Sequence, residues 1–194
     1  MKTIVWDLDD VLNNLMESWL TTAWPQERSE FPVAYQQLRS NPPLAELRVP
    51  LADYLASLDR FRLSPAGQNL RPNPLVLAWF ERQGCYFRHH VLTARPLCSV
   101  APASAWVFTH FGRWIRHFHF VPSPRPDDRL PAYDQTKAEA LGRIGQVDFF
   151  VDDSPENVAA AGPGVRGFVF PQPWNHAELT VSRILDELTQ HSCK

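Results

Sequence analysis

Short apolar runs that alternate with helical patterns constrain the fold of this chain more than any other feature. The run Lys2 to Trp6 reads as a buried strand, and further strands are expected at Tyr86 to Leu92, His117 to Val121, Val147 to Val151 and Val165 to Phe170. Helices are expected between them, over Leu75 to Gln83, Ala103 to Phe111, Asp134 to Ile144 and Ser154 to Ala161, with a terminal helix over Ala177 to Thr189. Gly84 follows the first of these helices and is expected to stop it. Such alternation builds a three-layer α/β sandwich with a mainly parallel, Rossmann-like sheet, because helical crossovers place cover on both faces.

Residues 12–70 carry no convincing strand. Leu12, Leu15, Met16, Trp19 and Leu20 recur at helical spacing, and Tyr35, Leu38, Leu51, Tyr54, Leu55 and Leu58 suggest two more short helices. The expected organisation is a core made of residues 1–12 and 71–194, with a small helical cap, residues 13–70, inserted after the first strand. Proline makes up 18 of 194 residues, roughly 9% against an average of about 5%, which favours loops over long helices. Trp19, Trp24, Phe31, Tyr35, Tyr54 and Phe61 read first as the packing a small insert needs, and only second as a stacking surface.

The formal net charge of −2 argues against a nucleic-acid binder held mainly by phosphate neutralisation. Cys85, Cys98 and Cys193 are odd in number and widely spaced, which gives neither a disulfide framework nor a zinc site. No stretch approaches a membrane span, and acids interrupt the apolar start at Asp7. A cytoplasmic protein with reduced thiols is expected, with no membrane and no nucleic acid polymer among its partners.

The chemistry is concentrated at the expected strand ends. The first strand runs into Asp7-Leu8-Asp9-Asp10-Val11, the second into Thr93-Ala94-Arg95, and a later one into Asp152-Asp153, while Lys137 falls in the first turn of a helix. In open α/β sheets ligands bind beyond the carboxyl ends of the strands, so these groups can meet at one edge. Taken singly, each has a plain explanation as a solvated strand end, a helix cap or a surface lysine. Together they supply a carboxylate nucleophile, a second carboxyl, a hydroxyl, an ammonium and an acid pair suited to a hard cation.

The order of these pieces resembles the haloacid dehalogenase (HAD) superfamily, whose phosphatases use an aspartate nucleophile and magnesium. The resemblance rests on the D-x-D-x-V run at Asp7, on Val91-Leu92-Thr93-Ala94-Arg95, on Lys137, and on the acidic segment Phe149 to Asn157. It implies that Asp7 attacks phosphorus to form an aspartyl-phosphate, while Asp9 protonates the leaving oxygen and activates water. Thr93, Ala94, Arg95 and Lys137 would hold the phosphate, and Asn13 could contact substrate or cap a helix. Asp7, Asp153 and the carbonyl of Asp9 would bind Mg²⁺, with Asp152 beside the ion through water or bonded to Lys137. Asn157 would brace that loop.

The short cap is similar to that of the 5′(3′)-deoxyribonucleotidases, which places nucleoside monophosphates first among small phosphorylated substrates. A metal-binding regulatory protein and a phosphotransferase are the alternatives on the same fold. His117 and His119 alternate with Phe118 and Phe120 and could share a strand face, but a half-exposed strand is the preferred account. His89 and His90 point to opposite faces and suit no single ion.

Overall fold

Thr3, Ile4, Val5 and Trp6 form strand β1 (Thr3–Trp6), buried on both faces, as β-branched and aromatic residues are when a parallel strand is covered from two sides. The computed structural model describes residues 1–28, 32–126 and 128–192; Phe31 and Cys193 lie outside them. After β1 come helices α1 (Leu15–Thr22), α2 (Trp24–Glu27), α3 (Leu44–Leu47), α4 (Leu51–Leu63) and α5 (Pro65–Gln68). Then follow α6 (Pro74–Gln83), β2 (Arg88–Arg95), α7 (Val100–Phe111), β3 (Ile115–Pro122), α8 (Lys137–Ile144), β4 (Phe149–Asp152), α9 (Pro155–Ala159), β5 (Arg166–Val169) and α10 (Val181–Gln190).

The five strands form one parallel sheet in the order β3-β2-β1-β4-β5. On one face Ile4, Trp6, Val91, Phe149 and Val151 pack with α6, α7 and α10 and with the buried side of the insert. On the other, Val5, Leu92, Val121 and Phe150 meet Ala140 and Leu141 of α8. The expected three-layer α/β architecture with a helical insert after β1 is thus the one the chain adopts.

The insert leaves and returns side by side. Asn13 bridges Pro72 in antiparallel fashion, and Asn73 N donates to the Leu12 carbonyl at 2.8 Å. Within it Trp19 packs against Trp24 and, edge-on, against Tyr54. Trp19, Trp24, Tyr54 and Phe61 are all buried, so these rings are core. Rather than a short helix, α4 runs for 13 residues, because Tyr54, Leu58 and Phe61 keep one apolar face going.

Other boundaries move for local reasons. Gly84 does not adopt a left-handed cap; its φ is −56°, and a Cβ there would lie 2.7 Å from the Trp114 ring, so close approach requires the glycine. The second strand begins later and runs to Arg95, since β3 pairs with it as far as Pro122. Thr93 therefore lies inside the strand. Asp134 takes a positive φ and Thr136 is an extended N-cap, so α8 starts at Lys137. Among the described residues, no helix is long and apolar enough to cross a membrane.

Candidate active site

Asp7 sits just past β1, its N–H still bonded to the Val151 carbonyl at 2.8 Å. One carboxylate oxygen, Oδ1, accepts from Leu8 N at 2.7 Å and lies 2.8 Å from Lys137 Nζ. Lys137 is the first residue of α8, whose start is fixed by the Thr136 hydroxyl accepting from Glu139 N. From there its ammonium also donates to Asp152 Oδ2 at 2.6 Å. Asp152 ends β4, and its other oxygen accepts from Ser154 N and from Asn157 Nδ2, at 2.9 and 3.1 Å. Asp153 follows, its Oδ2 accepting from Trp174 Nε1 at 2.9 Å while Asn175 Nδ2 donates to its carbonyl at 2.7 Å.

Ligand atoms of Asp7, Asp152 and Asp153 all lie within 4.8 Å of one another, and among the described residues no other set of three His, Cys, Asp or Glu side chains converges in this way. All three are buried, with one ammonium among them. Burial, with repulsion from Asp152 and Asp153, holds the Asp7 carboxyl well above the usual carboxylate range despite Lys137. Burial and Asp152 push Asp153 up to about 6. Burial would lower Lys137, but Asp152 and Asp7 outweigh it and raise it. Crowded carboxylates short of positive charge are a donor set for a hard divalent cation, and magnesium fits it.

Asp9 has a different environment. Arg95 binds it with two nitrogens, Nε to Oδ2 at 3.0 Å and Nη2 to Oδ1, and Arg62 Nη2 from α4 adds a third contact at 3.3 Å. Burial alone would raise this carboxyl, but the two guanidiniums hold it below its ordinary value. Arg95 is spent on Asp9 and does not line the cleft. Asn13 likewise turns inward, donating to Asp9 Oδ1 while its own Oδ1 accepts from Asp10 N, both at 3.3 Å.

The cleft holds about 670 Å³ and is lined by Asp7, Asp9, Thr93, Ala94, Lys137 and Asp153 together with residues of the insert. Several of its residues had no role assigned from the sequence. Asp10 lines it as a buried carboxyl at φ 61°, held up by burial and by Asp153 and Asp9; the run of three acids within four residues was its one trace. Trp174, Asn175 and His176 reach it from the irregular stretch before α10, which follows no period. Gln172 of the same stretch donates to the Asp10 carbonyl and accepts from Tyr35 of the insert.

His117 and His119 do share a face, and His90 joins them, its Nδ1 3.0 Å from His119 Nε2. None of the three lines the cleft. His89 turns to the opposite face, where it accepts from Trp6 Nε1 at 3.1 Å.

No family model matches the sequence, and no curated protein matches it significantly. Solved structures do match in fold. A hydrolase of the haloacid dehalogenase-like family from Streptococcus pneumoniae superposes with a TM-score of 0.61 at 11% identity, covering 96% of this chain and 90% of its own. A HAD-superfamily hydrolase of subfamily IA from Geobacter sulfurreducens gives 0.52 at 14% identity, covering 97% and 95%. A provisional HAD hydrolase from Bacillus subtilis, YfnB, solved with magnesium bound, gives 0.54 at 12% identity, covering 97% of each chain. The chain has the HAD-like fold, and its acidic cluster lies at the carboxyl ends of the central strands.

Proposed function

We propose that this protein is a magnesium-dependent phosphatase that hydrolyses a small phosphate monoester through an aspartyl-phosphate on Asp7. The observation that carries the reading is the meeting of Asp7, Asp152 and Asp153 within 4.8 Å of one another beside the Lys137 ammonium. Magnesium bound in a HAD-like relative supports the choice of ion.

Asp7 supplies the nucleophile, with Oδ1 oriented by Leu8 N and Lys137. Thr93 and the backbone at Ala94 receive phosphate oxygens, and Lys137 neutralises charge on the transferred group. Asp9, ionised in the grip of Arg95 and Arg62, is prepared to activate the hydrolytic water; donating a proton to the leaving oxygen requires that grip to loosen. Asp7 and Asp153, with the Asp9 carbonyl and with Asp152 close by, would hold magnesium, which would supply positive charge against the repulsion between the carboxylates and the phosphate dianion. Residues 13–70 act as a lid that sets substrate choice.

Of the insert's aromatic residues Tyr54 alone, among those described, lines the cleft, so a nucleobase finds little of the insert to stack on. The reading therefore stays with phosphate monoesters as a class. Purified protein with magnesium is assayed for phosphate release from an aryl phosphate and from a panel of metabolite esters. Release that chelator stops and magnesium restores is the expected result; no release, or a rate indifferent to chelator, rejects the reading.

A further inference from the structure

The insert contributes two charged side chains to the cleft, Arg39 and Arg62, and no carboxylate. The floor is mainly acidic, lined by Asp7, Asp9, Asp10 and Asp153 with Lys137 as its one ammonium. The Arg39 guanidinium donates through Nη1 to the carbonyls of Gln36 and Leu38, each at 2.9 Å, and forms no ion pair among the described residues. Carbonyls satisfy its protons without neutralising its charge.

Arg62 is nine-tenths buried, its side chain 10% exposed. Nη1 meets Asp59 at 3.1 Å and Nη2 meets Asp9 at 3.3 Å, but Nε is buried without an acceptor. A buried charged donor left open is costly unless something fills it. Arg39 thus lines the cleft from the insert with no carboxylate partner, and Arg62 lines it where the insert meets Asp9, with one N–H still without an acceptor.

We infer that the leaving group of the substrate carries a second anionic group, a carboxylate or a further phosphate, which Arg39 and Arg62 receive. This rests on the phosphatase reading of the same cleft. The transferred phosphoryl group lies at the floor, and the second anion cannot share that floor with four carboxylates. Charge therefore sets the direction in which the substrate enters. A planar, uncharged leaving group would leave Arg39 without an anionic partner.

The test compares 3-phosphoglycerate with glycerol 3-phosphate, two esters of similar size of which only the first has a distal carboxylate. With magnesium, kcat/KM for 3-phosphoglycerate is expected to be higher by about tenfold or more, the effect of one or two charge-assisted hydrogen bonds. In Arg39→Gln and in Arg62→Lys the ratio between the two esters should fall toward one, read as a ratio within each variant after circular dichroism has shown it folded. Arg39 is exposed, so its replacement does not threaten the core. Equal rates for the two esters in the wild type, or a ratio unchanged in Arg39→Gln, overturns the inference while leaving the phosphatase reading intact. If neither ester nor any other turns over, the phosphatase reading fails, and calorimetric affinities for the same pair decide the inference by the same ratio.

Discussion

Lys137 Nζ lies 2.6 Å from Asp152 Oδ2, in a pair whose side chains are 4% and 0% exposed. The same ammonium reaches Asp7, so one cation holds two carboxylates that would otherwise repel. Removing one partner of a buried ion pair leaves charge uncompensated and costs about 3–5 kcal/mol. Lys137→Met should therefore lower the unfolding free energy by about that amount in chelator, and magnesium should recover part of it. Denaturant titrations with and without magnesium check this; a variant as stable as the wild type under both conditions would show that Lys137 does not balance the cluster.

The pH dependence of Asp153 gives a second prediction. Its folded pKa, about 6, lies above the ordinary carboxylate value. A carboxyl raised in this way favours the folded state at low pH, and that contribution is lost as pH rises from about 4 through 6. In chelator, Asp153→Asn should therefore match the wild type below pH 4 and become more stable than it above pH 6, by about 2–3 kcal/mol. Unfolding curves across this range provide the comparison, and a stability difference independent of pH would assign the site a different charge state.

Trp174 donates its indole N–H to Asp153 Oδ2 at 2.9 Å, the contact that orients this carboxylate. Outer-shell partners of metal ligands are worth about 10–100-fold in affinity. Trp174→Phe keeps the ring and loses the donor, so the magnesium concentration for half-maximal activity should rise about tenfold while the fold stays intact. Unchanged magnesium dependence would reduce Trp174 to a packing residue.

Asp9 and Arg95 form a part-buried bidentate pair. Arg95→Met should destabilise the protein by about 3 kcal/mol, at the low end of the usual cost because Arg62 remains. Adding Asp9→Asn should restore much of this loss, since the stranded carboxylate is gone. A double-mutant cycle measures the coupling, and additive losses would mean that the two side chains do not depend on each other.

What the sequence disclosed follows from regularity. β1 and β4 are apolar strands that end on acids, and Lys137 was expected in the first turn of its helix although that helix starts three residues later than read, so Asp7, Lys137, Asp152 and Asp153 could be placed together before any coordinates. The parallel sheet and the helical insert were legible for the same reason. Trp174, Asn175 and Gln172 were not, because the stretch after β5 follows neither a strand nor a helix period and its contacts are set by tertiary packing. The pairing of Asp9 with Arg95 and Arg62 was hidden too: the three residues come from the β1 tip, β2 and α4, and no local pattern links them. Arg95, expected at phosphate from its place beside Thr93, is instead the partner of Asp9.

Asp7 as the nucleophile is the center of the account, and mass spectrometry on protein quenched during turnover of an aryl phosphate with magnesium tests it most directly. A phosphoryl group on the peptide that contains Asp7, absent from a folded Asp7→Asn variant that has lost activity, is the predicted result. Turnover undiminished in Asp7→Asn, with no phosphorylated aspartate at that position, would contradict it.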